Sequence, residues 1–398
     1  MSQLNRVIGL RGLTLYGIGV TLGAGIYALV GEMSAVAGLY APLAFLLAGV
    51  LAGLTGVSYA ELGSRYPESA GEAAYVANGF NRRWITAVAG YGVALSGSIS
   101  AAVVLHGFAG YVGELVDVPA WLAITGALAI LVAIAAWGVR ESIWMAGAIT
   151  LIEVAGLLVI LAVATPQAIS NPVPVTLPAG IPWTGVFAAS VMAFFAFIGF
   201  EDIVNMAEET RSPQRTLPLA IIITLSVSAV IYVAVSWVAV RTMEPELLAQ
   251  EGGPLAAVFE RATGLSGAPI AMIAVLAMIN GALVQVIMAS RVLYGLARRE
   301  LSWSGFARVH PRRKTPVFAT AAAGLLIWLL AMSGALGSLA TAASTVTLLV
   351  FALVNAALLA VRRQGGPKPR FTAPIWVPVL GVIANLAVVV GVVFQVSL

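Results

Sequence analysis

The 398-residue sequence has no cysteine and only two histidines, His106 and His310. Without thiols there can be no structural disulfide, no thiolate metal site and no disulfide-linked subunit, and the redox compartment stays undetermined. No HExxH, GxSxG or Cys/His cluster occurs, which removes the recognisable routes to an intramembrane enzyme. No GxxxxGK[ST] phosphate loop occurs either, so nothing points to energy from ATP. No metal and no cofactor are expected. Charge is also scarce: Asp, Glu, Lys and Arg make up 10% of the chain, against roughly 25% in an ordinary soluble domain. Low-complexity tracts and soluble linkers are absent.

What fills the chain is apolar. Hydrophobic residues are 60% of it and the mean hydropathy is +0.99. The apolar runs last about 20 residues, enough to cross a ~30 Å hydrocarbon core as helices, and they lack the ten-residue alternation of barrel strands. The sequence therefore predicts an all-α polytopic membrane protein, solvated by the lipid bilayer. Pro, Gly and charge punctuation place eleven helices near 12–36, 42–64, 83–114, 119–138, 142–164, 184–208, 217–239, 267–298, 315–333, 337–361 and 375–396. The first apolar run follows Arg6 and Arg11 and continues past its glycine break to Gly31, so a cleaved signal peptide is not expected.

With the N-terminus cytoplasmic, every Lys and Arg except Arg241 and Arg261 falls in an inside loop, including Arg65, Arg140, Arg215 and the cluster from Arg291 to Lys314. That is the positive-inside pattern of a multi-pass protein in the cell membrane, and it puts the C-terminus outside. The net charge of +4 follows this membrane bias and does not signal a nucleic-acid partner. The stretch 165–183, with Pro166, Pro172, Pro174, Pro178 and Pro182, is expected to be an outer loop. The stretch 240–266, with Glu244, Glu246, Glu251 and Glu260, is an outer connection long enough for a short surface helix. SAGEAAYVANGF, after Pro67, predicts an inner-side helix.

Two hydrophobic segments are interrupted. GLTLYGIGVTLGAGIYALVGE breaks at Gly23, Ala24 and Gly25, and FFAFIGFEDIVNMAEET breaks at Ile198 and Gly199. Freed N–H and C=O groups survive at membrane depth only where protein or a cavity replaces water. The first break lies about eleven residues from the inner end, roughly 16 Å at 1.5 Å per residue, close to the bilayer midplane. N–H groups opening the second half-helix suit a carboxylate, and carbonyls closing the first half suit an ammonium. Such a pair fits an α-amino-acid head group and points to a transporter's substrate site. The plainer alternative is a small-residue packing face. Helices 1–5 and 6–10 each begin with an interrupted helix, and an odd number of spans inverts one unit relative to the other. This predicts a 5+5 inverted repeat of residues 1–164 and 184–361, joined by 165–183 and followed by a linker and helix 11 in 362–398.

Acids inside spans need a reason, because a central charge costs at least ~2.5 kcal/mol on insertion scales. Glu61 is expected to pair with Arg65 one turn on. Glu201 and Asp202 follow the second break, where they can cap freed N–H groups, meet an ammonium or share a proton. Glu153 stands alone in a helix that is otherwise apolar from Met145 to Ala164, near the depth of Gly23. It is a candidate carrier of a coupling proton, a carboxylate that helps to hold a cation such as sodium, or a protonated structural carboxyl bonded to freed backbone. Asn205, His106, Asn280 and Gln285 are expected to make interhelical hydrogen bonds. Arg291, Arg298 and Arg299 are expected to snorkel to phospholipid headgroups.

LNRVIGLRGLTLYGIGVTLGAGIY, SYAELGSRYPESAGEAAYV, FFAFIGFEDIVNMAEETRSPQRTLP and SRVLYGLARRE, in that order over residues 5 to about 301, resemble the successive signatures of amino-acid permeases. The family is the amino acid/polyamine/organocation (APC) superfamily, nearest its bacterial cationic-amino-acid-transporter-like branch. The resemblance implies a leucine-transporter-like inverted-repeat fold with broken helices 1 and 6, alternating access, and a site between those helices and parts of helices 3 and 8. By motif match, Thr21, Gly23, Ala24, Gly25 and Ile26 hold the head group, while Phe194, Phe197, Ile198 and Gly199 line or gate the pocket. Glu153 occupies a position where the family often has a lysine contacting the helix 1 break. Many members have twelve or more spans, where this chain is expected to have eleven. The implied function is secondary active transport of L-amino acids, by proton-coupled symport of neutral substrates. The helix 6 phenylalanines and the few fixed charges tilt the side chain towards apolar. Exchange or export, a cationic amino acid or polyamine substrate, and a non-transporting amino-acid sensor stay open.

Overall fold

The computed structural model describes residues 6–67, 71–137, 143–170, 172–173 and 180–396. Arg140, Pro174 and Pro178 lie outside them, as do Ser69 and Ala70 of the expected inner helix. The described chain is helical, with one isolated bridge, Ile8 to Thr210, and no strand. Its helices are α1 (Leu10–Leu22), α2 (Ala24–Ala37), α3 (Ala41–Arg65), α4 (Gly71–Phe80), α5 (Arg83–Gly113), α6 (Ala120–Trp137), α7 (Ile143–Ser170) and α8 (Trp183–Phe197). A 3-10 segment, Phe200–Glu209, leads to α9 (Pro213–Thr242), α10 (Pro245–Leu248), α11 (Pro254–Thr263), α12 (Ala268–Arg298), α13 (Val317–Ser333), α14 (Leu336–Arg363) and α15 (Trp376–Val396).

Among the described residues, nine stretches are long and apolar enough to cross a membrane, one of them the 56-residue run Leu10–Arg65. Val317–Ser333 is apolar but shorter. The chain is a multi-pass membrane protein. α3 packs along α9, α5 along α12, α6 along α13 and α2 along α8.

Two helices outrun their expected limits. α7 continues to Ser170 with Pro166 inside it, so the outer loop starts later than residue 165. A proline removes one backbone donor, here the one to the Ala162 carbonyl, but does not by itself end a membrane helix. α9 begins at Pro213, where a missing N–H is harmless at a helix start, and carries Pro218 inside. Pro218 cannot donate to the Gln214 carbonyl four residues back; Ser64 Oγ donates to it instead at 3.0 Å.

Short contacts gather the basic segments on one side of the molecule. The Ile8 N–H reaches Glu209 O at 3.0 Å and the Arg211 N–H reaches Ile8 O at 2.8 Å. Thr315 Oγ1 donates to Ala136 O at 2.7 Å. On this side the expected Glu61–Arg65 pair forms at 2.7 Å, but it is part of a larger clasp. Glu61, fully buried, also accepts from Arg362 Nε at 3.0 Å and from the Ala373 N–H at 2.7 Å. Arg65 reaches on to Pro367 O at 2.6 Å. The clasp ties α3 to α14 and to the segment before α15.

Arg362→Met should lower stability by about 3–5 kcal/mol, because it leaves a buried carboxylate short of its main partner. The thermal midpoint in detergent reads this out; an unchanged midpoint would mean the pair is worth nothing net.

Candidate functional site at two helix breaks

The first break is a single residue. Gly23, at φ −58° and ψ −124°, ends α1 and caps α2, and Ala24 and Gly25, expected to be part of the break, already belong to α2. The second break has an extended Ile198, ψ 132°, followed by Gly199 at φ +122°. Side chains rarely adopt that φ, and a Cβ on Gly199 would stand 2.9 Å from the Val20 carbonyl oxygen. The two breaks face each other a second time one turn away, where a Cβ on Gly25 would stand 2.6 Å from Ala196 Cα.

The freed backbone groups find different partners. The Tyr232 hydroxyl, on α9, bridges the carbonyls of Thr21 and Ala196, the latter at 2.7 Å, so one side chain ties both breaks together. Glu201 Oε2 accepts the Gly199 N–H at 2.8 Å, which makes it a cap. Asp202 Oδ1 accepts from Asn205 Nδ2 at 3.2 Å. The opening N–H groups of α2 have no side-chain cap. They lie beside a cavity of about 50 Å³ that Gly23, Ala24 and Gly25 share with Phe195, Ala196 and Ile198. An uncapped helix N-terminus attracts carboxylate and a carbonyl end attracts ammonium, so this cavity is chemically matched to a zwitterion.

Thr21, Gly23, Ala24, Gly25 and Ile198 line the cavity. Ile26, Phe194 and Phe197 are fully buried elsewhere. Phe194 stands edge-on to Phe351 at 5.9 Å and Phe197 edge-on to Tyr232 at 5.1 Å. The cavity face of α8 carries Phe195 and Ala196, not the expected Phe194 and Phe197, while Ile198 after it lines the cavity as expected. The opposite wall comes from α5 and α12, with Ser100, Asn280 and Gln285. The expected interhelical bonds form for His106, whose Nε2 lies 2.8 Å from Ala331 O. Gln285 Oε1, by contrast, has no partner among the described residues.

Glu153 does not line the cavity. It sits behind the first break, 1% exposed, with Oε2 3.7 Å from where a Cβ on Gly23 would be. Both its carboxyl oxygens lack a hydrogen-bond partner among the described residues. Its own backbone carbonyl accepts from the Tyr27 hydroxyl at 3.0 Å, which ties α7 to α2.

A vestibule of about 1060 Å³ joins the cavity at Ile198, Val284 and Gln285 and widens between Glu72, Glu201, Asp202 and Glu209 on one wall and Arg291 and Arg299 on the other. It opens on the basic side. Burial pushes the Glu72 carboxyl above the usual range, and the Tyr59 hydroxyl bonds to it at 3.1 Å. The other side is shut. Tyr111 donates to the Tyr27 carbonyl at 3.1 Å and accepts the Leu255 N–H at 3.2 Å, and α10 and α11 lie against α2. At Gly31 a Cβ would stand 2.9 Å from Leu248 O, so this lid is packed backbone to backbone.

Known proteins share this sequence over nearly its whole length. Residues 8–397 match the family described as amino acid permease. The chain is similar to the vacuolar cationic amino acid transporter 2 of Arabidopsis thaliana, 33% identical over 90% of this chain and 60% of that protein. It is similar to the human cationic amino acid transporter 4, 29% identical over 94% of this chain and 62% of that one. The branched-chain amino acid permease BcaP of Bacillus subtilis (strain 168) is 29% identical over 97% of this chain and 87% of its own length. The chain thus spans about three fifths of the plant and human relatives. From the match along its length, this chain belongs to the amino acid permease family of the APC superfamily.

Proposed function

We propose that the protein is a secondary active transporter of L-amino acids that works by alternating access, with a proton as the coupling ion. The observation that carries this reading is the cavity at two opposed helix breaks, joined to a vestibule that is open on one side and sealed on the other. In it the uncapped start of α2, at Gly23, Ala24, Gly25 and Ile26, takes the substrate carboxylate, and the carbonyl end of α8 takes the ammonium. Thr21 and Ile198 complete the wall, Gly199 shapes the second break beside it, and Phe194 and Phe197 back it. Glu153 carries the coupling proton, and Glu201 and Asp202 hold the second break in shape where the vestibule meets the cavity.

The fold reading supports this assignment. Counting Leu10–Arg65 as two crossings and adding Val317–Ser333 gives eleven spans. Pairing of α2 with α8, α3 with α9, α5 with α12 and α6 with α13 is what two inverted units meeting face to face would produce. In this reading the basic, open side is cytoplasmic and the structure is inward-facing in the cell membrane. Relatives named for cationic and for branched-chain amino acids leave the side chain open. No Asp or Glu lines the cavity, and a buried cation without a counter-charge is costly, which favours neutral substrates.

The test is uptake of a labelled amino-acid panel into proteoliposomes, with an inward proton gradient in one arm and preloaded unlabelled substrate in the other. Accumulation only under the gradient is the expected result. Uptake only against internal substrate would make the protein an exchanger, and binding without flux would make it a sensor.

A further inference from the structure

The cavity carries polar groups with nothing to bond to among the described residues, two on the wall facing away from the breaks and one beside the first break. Ser100 Oγ on α5 and Gln285 Oε1 on α12 have no hydrogen-bond partner among the described residues, and neither has Thr21 Oγ1. Ser100 and Thr21 are each 2% exposed and Gln285 is 9% exposed. All three line the one cavity of about 50 Å³. Gly97 keeps the amide there: a Cβ at that position would stand 3.0 Å from Gln285 Oε1.

A buried serine in a helix normally returns its proton to the carbonyl one turn back, as Ser98 does to Ala94 at 2.8 Å. Ser100 does not, so its donor is available to a ligand. Leaving such groups dry and unpaired is unfavourable, whereas a ligand that pairs them is selected over one that does not.

Resting on the transporter reading above, we propose that Ser100, Gln285 and Thr21 form a side-chain subsite for small neutral amino acids bearing a hydroxyl or carboxamide, of the class of threonine, serine and asparagine. A cavity of only about 50 Å³ favours a short side chain over a long one. A branched aliphatic side chain would fill the space and leave all three groups unpaired. A cationic side chain would find no carboxylate on the lining. Of the acids beyond it, Glu201 is engaged with the Gly199 N–H and Asp202 with Asn205, and Glu153 lies behind the first break, off the lining.

Threonine and valine have nearly the same shape and differ in one hydroxyl, so they isolate this contribution. Equilibrium binding of L-threonine, L-valine, L-alanine and L-lysine to the detergent-solubilised full chain should give threonine at least about tenfold tighter than valine. The ratio should fall towards one in Gln285→Met and in Ser100→Ala, each checked for a monodisperse folded profile. Should one variant fail to fold, the other and the wild-type ratio still decide. Equal affinities for threonine and valine, valine ahead, or lysine ahead would overturn the subsite and leave amino-acid transport standing. An unchanged ratio in both folded variants would assign the orphaned groups to bound water and also overturn it. No binding of any amino acid, alanine included, would instead sink the transporter reading itself.

Discussion

Gly25→Val is expected to abolish amino-acid binding, a loss of at least about 100-fold, in a protein that still inserts and folds. The reason lies in what a side chain would meet. A Cβ on Gly25 would stand 2.6 Å from Ala196 Cα and 2.8 Å from Ala196 Cβ, atoms of the backbone and first carbon of α8 that have no rotamer to escape through. α2 and α8 would have to part by an ångström or more, and each carries half of the proposed head-group site. Displacements of about 1 Å at a reacting or binding centre are worth on the order of 100-fold. Gly53→Val on α3 is the matched control, since a Cβ there meets nothing within 4 Å. Radioligand binding paired with a size-exclusion profile separates a lost site from a lost fold. A folded Gly25→Val variant with ordinary affinity would show that the helix 1 break does not hold the substrate.

Glu153→Gln is expected to remove proton-driven accumulation, at least about tenfold, while exchange of internal for external substrate continues. Glutamine keeps the shape and the buried position but cannot gain or lose the proton. Among the described residues both carboxyl oxygens are unpartnered, and the side chain is 1% exposed, so a bare carboxylate at this spot has no donor to steady it. In the proposed mechanism protonation would answer that need, and Oε2, 3.7 Å from where a Cβ on Gly23 would be, is placed to act on the first break. The measurement is uptake at a fixed inward pH gradient beside counterflow at equal pH. Full accumulation in the glutamine variant would take Glu153 out of the mechanism, and accumulation driven by a sodium gradient would replace the proton with a cation at the same carboxylate.

Local chemistry makes both breaks legible in the sequence. Glycine interrupting an apolar run leaves few alternatives at membrane depth, and Gly23, Ile198 and Gly199 are where the backbone turns. Finer detail was lost at the level of single bonds. In a run of small residues nothing local says which one bends, so Ala24 and Gly25 were expected in the break but start α2. In helix 6 the aromatic run has no polar neighbour to fix its phase, and Phe195 faces the cavity where Phe194 and Phe197 were expected to. The remaining residues of the site meet partners far away in sequence. Tyr232 reaches Thr21 across 211 positions, and Arg362 reaches Glu61 across 301. No window of sequence contains such pairs. Gln285 was visible as a polar residue in an apolar helix, but whether it bonds to a helix or faces empty space is decided by packing alone.

The vestibule has a consequence that reaches beyond its lining residues. A volume of about 1060 Å³ holds some tens of waters. Under the proposed alternating access, a conformation that seals the basic side would have to expel most of them. Sealing would then be linked by mass action to water activity. Solutes too large to enter the vestibule would draw the protein towards its sealed form, and transport would acquire a dependence on osmotic strength set by the size of the empty space.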